Sequence, residues 1–435
     1  MIHPALSEVP FEIALRRGLG RAVLYAAAGP VEQLRETLLY TCRKKSRFDG
    51  MEDERFPYLF DVIHATGEPD FYQTEILNAL QHPEPDDDAE QLYGLAMLFA
   101  RNGSEQARNV LYKRFSRDAE AGDFSGAEYL VELDGIGGYV VVAEALSQNL
   151  PVSEDNTDHE TALSALEKQV GRENPPAAWA MVYALKPELG TYLNTIRLVW
   201  SYYFAHHPIS DREKQVPRPE PSKAMVRDRI SRGGYFPQRL VRHLEPNFIT
   251  ELAHELTQET ETTRITGYLS LFAKCPFPLN PEFLLTLLHH EDLKVAGQSA
   301  IALQHLRHPA VRETAHRIAT DRRLSFLVPY LLVRNASEDD FALFSEILRR
   351  LEDENQIHHF GFGMNDYWDE NPGIQGTAFL LSLYHKQSCS LCRGSIVRFL
   401  AQRNELPDWL CDEGIYDADS GIRTEVSRYR NAGHE

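Results

Sequence analysis

Four residues toward the end of the chain have the types and spacing to hold a metal: His385, Cys389, Cys392 and Cys411. Cys389 and Cys392 stand in Cys-x-x-Cys order, with the histidine just before them and Cys411 after them. Zinc takes four convergent nitrogen or sulfur donors, and these four residues supply that number. The same two cysteines lie in the helix-forming run "CSLCRGSIVRFLAQ", where an i,i+3 pair simply shares one helix face. Buried free cysteine packs as a small apolar residue. Packing is the simpler reading, so no metal or cofactor is expected, and the four residues stand as the metal alternative.

Two other stretches carry reactive or adhesive side chains. Between Lys223 and Arg242 lie Arg227, Arg229, Arg232 and Arg239, with Asp228 the sole acid and Tyr235 and Phe236 interleaved. Cations with aromatics can hold a nucleic-acid backbone and stack on bases. The plainer account is a loop that neutralises an acidic helix face. The second stretch, "HHFGFGMNDYWDENPG" over 358–373, offers His358, His359, Asp366, Tyr367, Trp368, Asp369 and Glu370. Their spacing fits no ligand motif, and the stretch reads as an aromatic loop inserted between helices. Tyr and Trp are typical interface anchors. The expected contact points are therefore Arg232, Tyr235, Phe236, His359, Tyr367, Trp368 and Asp369, and no catalytic residue is assigned.

Two further motifs read as structural. "DGIGG" at 134–138 lacks the preceding strand and the Gly-Lys-Ser/Thr of a phosphate-binding loop, so it is expected to be an inter-helix turn. In "RKKSRFDGMEDERFPYLFDVI" over 43–63, Glu52 stands three residues before Arg55 and is expected to pair with it at the entry to a helix, an anion or ligand pocket being the alternative.

Composition narrows the partners. With 45 basic against 64 acidic residues the formal net charge is −19. Such a field repels phosphate backbones and anionic lipid, which disfavours nucleic acid and membrane surfaces. Five scattered cysteines suit a reducing compartment rather than a disulfide framework. No secretory leader and no bilayer-spanning apolar run is read, so the expected location is cytoplasmic.

The elements that must position these residues are helical nearly throughout. In "DLKVAGQSAIALQHL" over 292–306, Ala296, Ala300, Leu303 and Leu306 fall on one helix face. Only "YVVVAEAL" at 139–146 favours a strand locally, and its place after a glycine turn makes it helix. Gly67, Gly103 and Gly135 recur about every thirty-odd residues, each between the end of one helix and the start of another. A single helical pair leaves its apolar face uncovered, so such units stack.

The stretch "LLTLLHHEDLKVAGQSAIALQHLRHPAVRETAHRIA" resembles HEAT-type repeats on Asp292, Val295, Ala296, Ala300 and Leu303, with the Val311-Arg312 pair in the next helix. The resemblance is good over 247–351, fair over 55–146 and 374–430, and poor elsewhere. It implies an all-α superhelix, a solenoid of stacked HEAT-like hairpins. The expected organisation is helical repeats over 1–204, a proline-rich linker over 205–240 and HEAT-like repeats over 241–435. The function it implies is a non-catalytic scaffold that binds a protein or peptide. HEAT-like DNA glycosylases and HEAT-like lyases that modify a partner protein supply the two alternatives.

Overall fold

The computed structural model describes residues 9–148, 157–170, 175–196, 222–373 and 376–433. Among them every regular element is a helix and none is a strand. The chain divides into two compact units: Met1–Val216 with Pro407–Glu435, and Pro217–Leu406. Residues 407–435, grouped with 241–406 from the sequence, belong instead to the first unit. Residues 205–221 of the expected linker lie outside the described residues. The rest of it is partly helical, with helices at Lys223–Ser231 and Gln238–Val241.

In the first unit the helices from Val31–Arg43 to Ile136–Ser147 each pack on their successor and again on the helix after that, which builds two rows. Phe56–Ala65, Ala89–Arg101 and Ala127–Asp134 form one row; Pro69–Gln81, Glu105–Glu120 and Ile136–Ser147 form the other. Composition explains the rows. The Ala89–Arg101 helix is apolar nearly all round and buries Leu92, Tyr93, Leu95, Ala96, Met97 and Phe99, as a helix between two layers must. The Glu105–Glu120 helix buries a single stripe of Ala107, Val110, Leu111 and Phe115 and leaves its charged face in water.

The periodic glycines make the turns between these layers. Gly67, Gly103 and Gly135 hold φ of 74°, 94° and 57°, a left-handed backbone that residues with a Cβ rarely adopt. The run 139–146 is helical, within Ile136–Ser147, and 134–138 is the junction of two helices. Helix starts are capped by short polar side chains. Asp88 accepts from the Gln91 N–H, Ser104 from Ala107 and Asp292 from Lys294.

The repeat is also written in cations that cap the preceding unit's helix. Carbonyls at a helix C-terminus lack intrahelical donors. Arg114 donates to Leu80 O, 34 residues back, and Arg117 to Gln81 O, 36 back. In the second unit Arg350 likewise donates to Ala319 O at the end of the Pro309–Ile318 helix, 31 residues back, while Arg323 and Arg403 donate to the inter-helix carbonyls of Glu291 and Pro372, 32 and 31 back. There the helices Thr262–Phe272, Leu293–Leu303, Val328–Leu332, Glu354–Glu370 and Ser390–Gln402 pack in one continuous row. Val295, Ala296, Ala300 and Leu303 are fully buried in it.

The returning C-terminal segment is tied to the start of the chain by buried charge. Arg21 Nε and Nη2 donate to Glu413 Oε2 and Oε1 at 2.7 and 3.0 Å, with both side chains out of contact with water. The Ala418 N–H donates to Gly18 O at 2.9 Å, and the Ser420 N–H to Asp53 Oδ2 at 2.7 Å. Arg55, paired with Glu52 at 3.0 Å, lays its guanidinium against Gly18 and Ala418. The ion pair read from the sequence is therefore one part of a larger clasp.

Candidate functional site

The second unit gathers His358, Cys389 and Cys392 into one cluster. The loop expected over 358–373 is instead mostly the end of a helix, Glu354–Glu370, which begins at the Asp353 cap and carries His358 on its second turn. Its aromatic content misled, because loops and aromatic-lined helices share such residues and only neighbouring apolar surface separates them. Cys389 caps the Ser390–Gln402 helix, and Cys392 is that helix's third residue. The donor atoms Nδ1 or Nε2 of His358 and Sγ of the two cysteines all lie within 4.8 Å of one another. Cys392 Sγ stands 3.5 Å from His358 Nδ1.

Neighbouring side chains fix this placement. Gln387 Nε2 donates to Ile357 O at 2.9 Å, passing so close over Gly361 that a Cβ there would meet it at 2.0 Å. Ser388 Oγ donates to Glu354 Oε1 at 2.8 Å. The buried Arg393 donates through Nη1 to Gln387 O and Ser388 O at 3.3 and 3.1 Å. The residues flanking all three donors are thus locked to the helix that carries the histidine.

The electrostatics single out one thiol. Burial pushes the Cys42, Cys275 and Cys411 thiols up. Cys389 moves down, because hydrogen bonds from Cys392 and the His358 ring favour its thiolate against the cost of burial. A thiolate at a helix N-terminus beside an imidazole can act as nucleophile, redox partner or metal ligand.

Two residues expected to join this group do not. Cys411 belongs to the first unit, on the Asp408–Gly414 helix. His385 lies on the Thr377–Lys386 helix, its ring 5.9 Å from that of Tyr384, and it is outside the cluster. Proximity in sequence favours His385, but helix packing brings in a histidine from 31 positions before Cys389.

The expected contact residues divide by exposure. Tyr367 and Trp368 are core: Tyr367 Oη donates to Asp340 Oδ2 at 3.1 Å, and Trp368 packs among Phe341, Phe379 and Phe399. Phe236 is also fully buried, with its N–H on Ser270 Oγ. His359 and Asp369 are exposed. Arg232 is 73% exposed and pairs with Asp228. Tyr235 is 64% exposed, its carbonyl accepting from Arg229 Nη1 at 2.8 Å and Lys274 Nζ lying 5.1 Å from its ring. Lys223 and Arg227 face Glu251, and Arg227 also Glu255, so part of the basic stretch neutralises a helix of its own unit.

A second acidic group, Glu84, Asp86 and Asp87, is met by Arg43 and Lys44 and forms an ion-paired surface network. Burial opposes the ionised form of Asp87, but hydrogen bonds from Arg43, the Glu84 N–H and Lys44 outweigh it and hold the carboxyl at about 2. A depressed carboxyl contributes stability that is complete above its unfolded value of 3.8 and is lost as pH falls through about 2. The stability difference between wild type and Asp87→Asn should therefore shrink between about pH 4 and pH 2. Urea midpoints across that range check this; a constant difference would show that the pairs do not perturb the carboxyl.

Comparison with family models, curated proteins and solved structures returns no match to the chain.

Proposed function

We propose that the protein is a non-catalytic helical scaffold that holds another protein or peptide on its surface. The two-row stacking of hairpins supports this reading, because such arrays present long rigid faces and no deep closed pocket by default. The observation that carries it furthest is Tyr235. An interface anchor is a large aromatic that is exposed before binding and already held in place. Tyr235 meets both conditions: its own carbonyl is fixed by Arg229, and the next residue, Phe236, is buried as an anchor. The resemblance to HEAT-type repeats points to the same class. All five cysteines are free thiols, which suits the cytoplasmic setting we propose.

The nucleic-acid alternative loses weight because Lys223, Arg227 and Arg232 each face a carboxylate of their own unit. The test starts from a partner recovered by crosslinking in native cells and then purified. Tyr235→Ala should weaken its binding about 30-fold, the roughly 2 kcal/mol of a hot-spot aromatic. Tyr40→Ala serves as the control, since Tyr40 is equally exposed at 64% on the first unit. Unchanged affinity in the Tyr235 variant, or tight duplex DNA binding with a steep salt slope, would overturn the reading.

A further inference from the structure

We propose that His358, Cys389 and Cys392 bind one zinc ion through Nδ1 and two Sγ atoms, with the fourth coordination position left to an exogenous ligand.

Donor chemistry comes first. Two thiolates and an imidazole form a borderline-soft set that suits zinc and disfavours calcium or magnesium, which take oxygen. Distance comes second. With Zn–S about 2.3 Å and Zn–N about 2.0–2.1 Å, a tetrahedral centre separates sulfur from nitrogen by about 3.5 Å. The observed separation of Cys392 Sγ and His358 Nδ1 is 3.5 Å. The clustering of all three donors within 4.8 Å leaves room for a single ion at their centre.

Support from the surroundings comes third. Metal ligands are oriented by outer hydrogen bonds, and losing such a partner typically costs 10–100-fold in affinity. Here Gln387, Ser388 and Arg393, each nearly inaccessible to solvent, fix the turn that carries Cys389 against the helix that carries His358. A dithiol that exchanges with a partner disulfide needs an accessible sulfur. Cys389 and Cys392 are only 1% and 3% exposed, so coordination fits their burial better than exchange.

The open position follows from a count of ligands. Structural zinc sites are closed by four protein donors, whereas sites with three keep one place for water or substrate. Among the described residues no fourth histidine, cysteine or carboxylate joins the group. The two thiolate charges cancel that of the ion, so a neutral donor such as water enters without electrostatic cost. His358 is half-buried, and its ring lies 4.7 Å from that of Phe362, which is 46% exposed.

The test uses the full chain, reduced and stripped with a chelator, then titrated with zinc or cobalt alone. About one equivalent should bind, and the cobalt form should show the visible bands of a tetrahedral thiolate centre. Those bands should shift on adding imidazole or azide, which reports the open position. His358→Ala should weaken zinc binding by more than about 100-fold, and Gln387→Ala by about 10–100-fold. Cys275→Ser should change nothing. Circular dichroism and melting of each metal-free variant establish that it folds. Binding below about a tenth of an equivalent with both thiols reduced would overturn the site, as would full affinity retained in His358→Ala.

Discussion

Glu413→Gln is expected to destabilise the first unit by about 3–5 kcal/mol. The substitution keeps the side chain's shape but removes the negative charge that faces Arg21. Arg21 is fully buried, with its guanidinium 5.6 Å from the Trp409 ring as well as on Glu413. A buried cation that loses its counter-charge keeps its desolvation cost and forfeits the attraction that offset it. The clasp cannot open locally to admit water without moving backbone, because Gly20 abuts the Glu413 carbonyl where a Cβ would lie at 1.8 Å. Pairing Arg21→Met with Glu413→Leu should restore most of the loss, since an apolar pair carries no desolvation cost. Chemical denaturation of the single and double variants measures both numbers. A single variant within about 1 kcal/mol of wild type would mean the pair is solvated.

Trp368→Ala should destabilise the second unit by about 3–5 kcal/mol, the range for emptying a large aromatic from a packed core. Trp368 is 1% exposed and touches rings from three elements: Phe341 at 6.3 Å, Phe379 at 6.1 Å and Phe399 at 5.5 Å. Its Nε1 finds no acceptor among the described residues, where the indole contributes through area and ring contacts. The same variant separates two roles for this residue. A core tryptophan shifts the unfolding midpoint of its unit. An interface anchor would leave that midpoint in place and weaken partner binding, and that outcome would contradict the burial described here.

Much of the architecture is legible along the chain. The glycine period, the apolar spacing of Ala296, Ala300 and Leu303 and the capping residues each state a local preference that the fold then obeys, whereas Leu306, expected on the same face, lies past the helix end at Leu303. Such features are local: a positive φ or a capped amide depends on a few consecutive residues. The Glu354–Glu370 helix shows where this fails. Its glycines and aromatics resemble a loop, yet the rings of Phe360, Tyr367 and Trp368 are covered by neighbouring helices, and burial decides the conformation.

By itself the sequence determined helices throughout the described residues, turns at Gly67, Gly103 and Gly135, and the pairing of Glu52 with Arg55. The tertiary structure alone decided that His358 rather than His385 meets Cys389 and Cys392, that Tyr367 and Trp368 point inward, and that residues 407–435 return to the first unit. The physical reason is common to all three. Helical periodicity tells which residues share a face, whereas the neighbour that covers the face is chosen by packing between segments far apart in the chain.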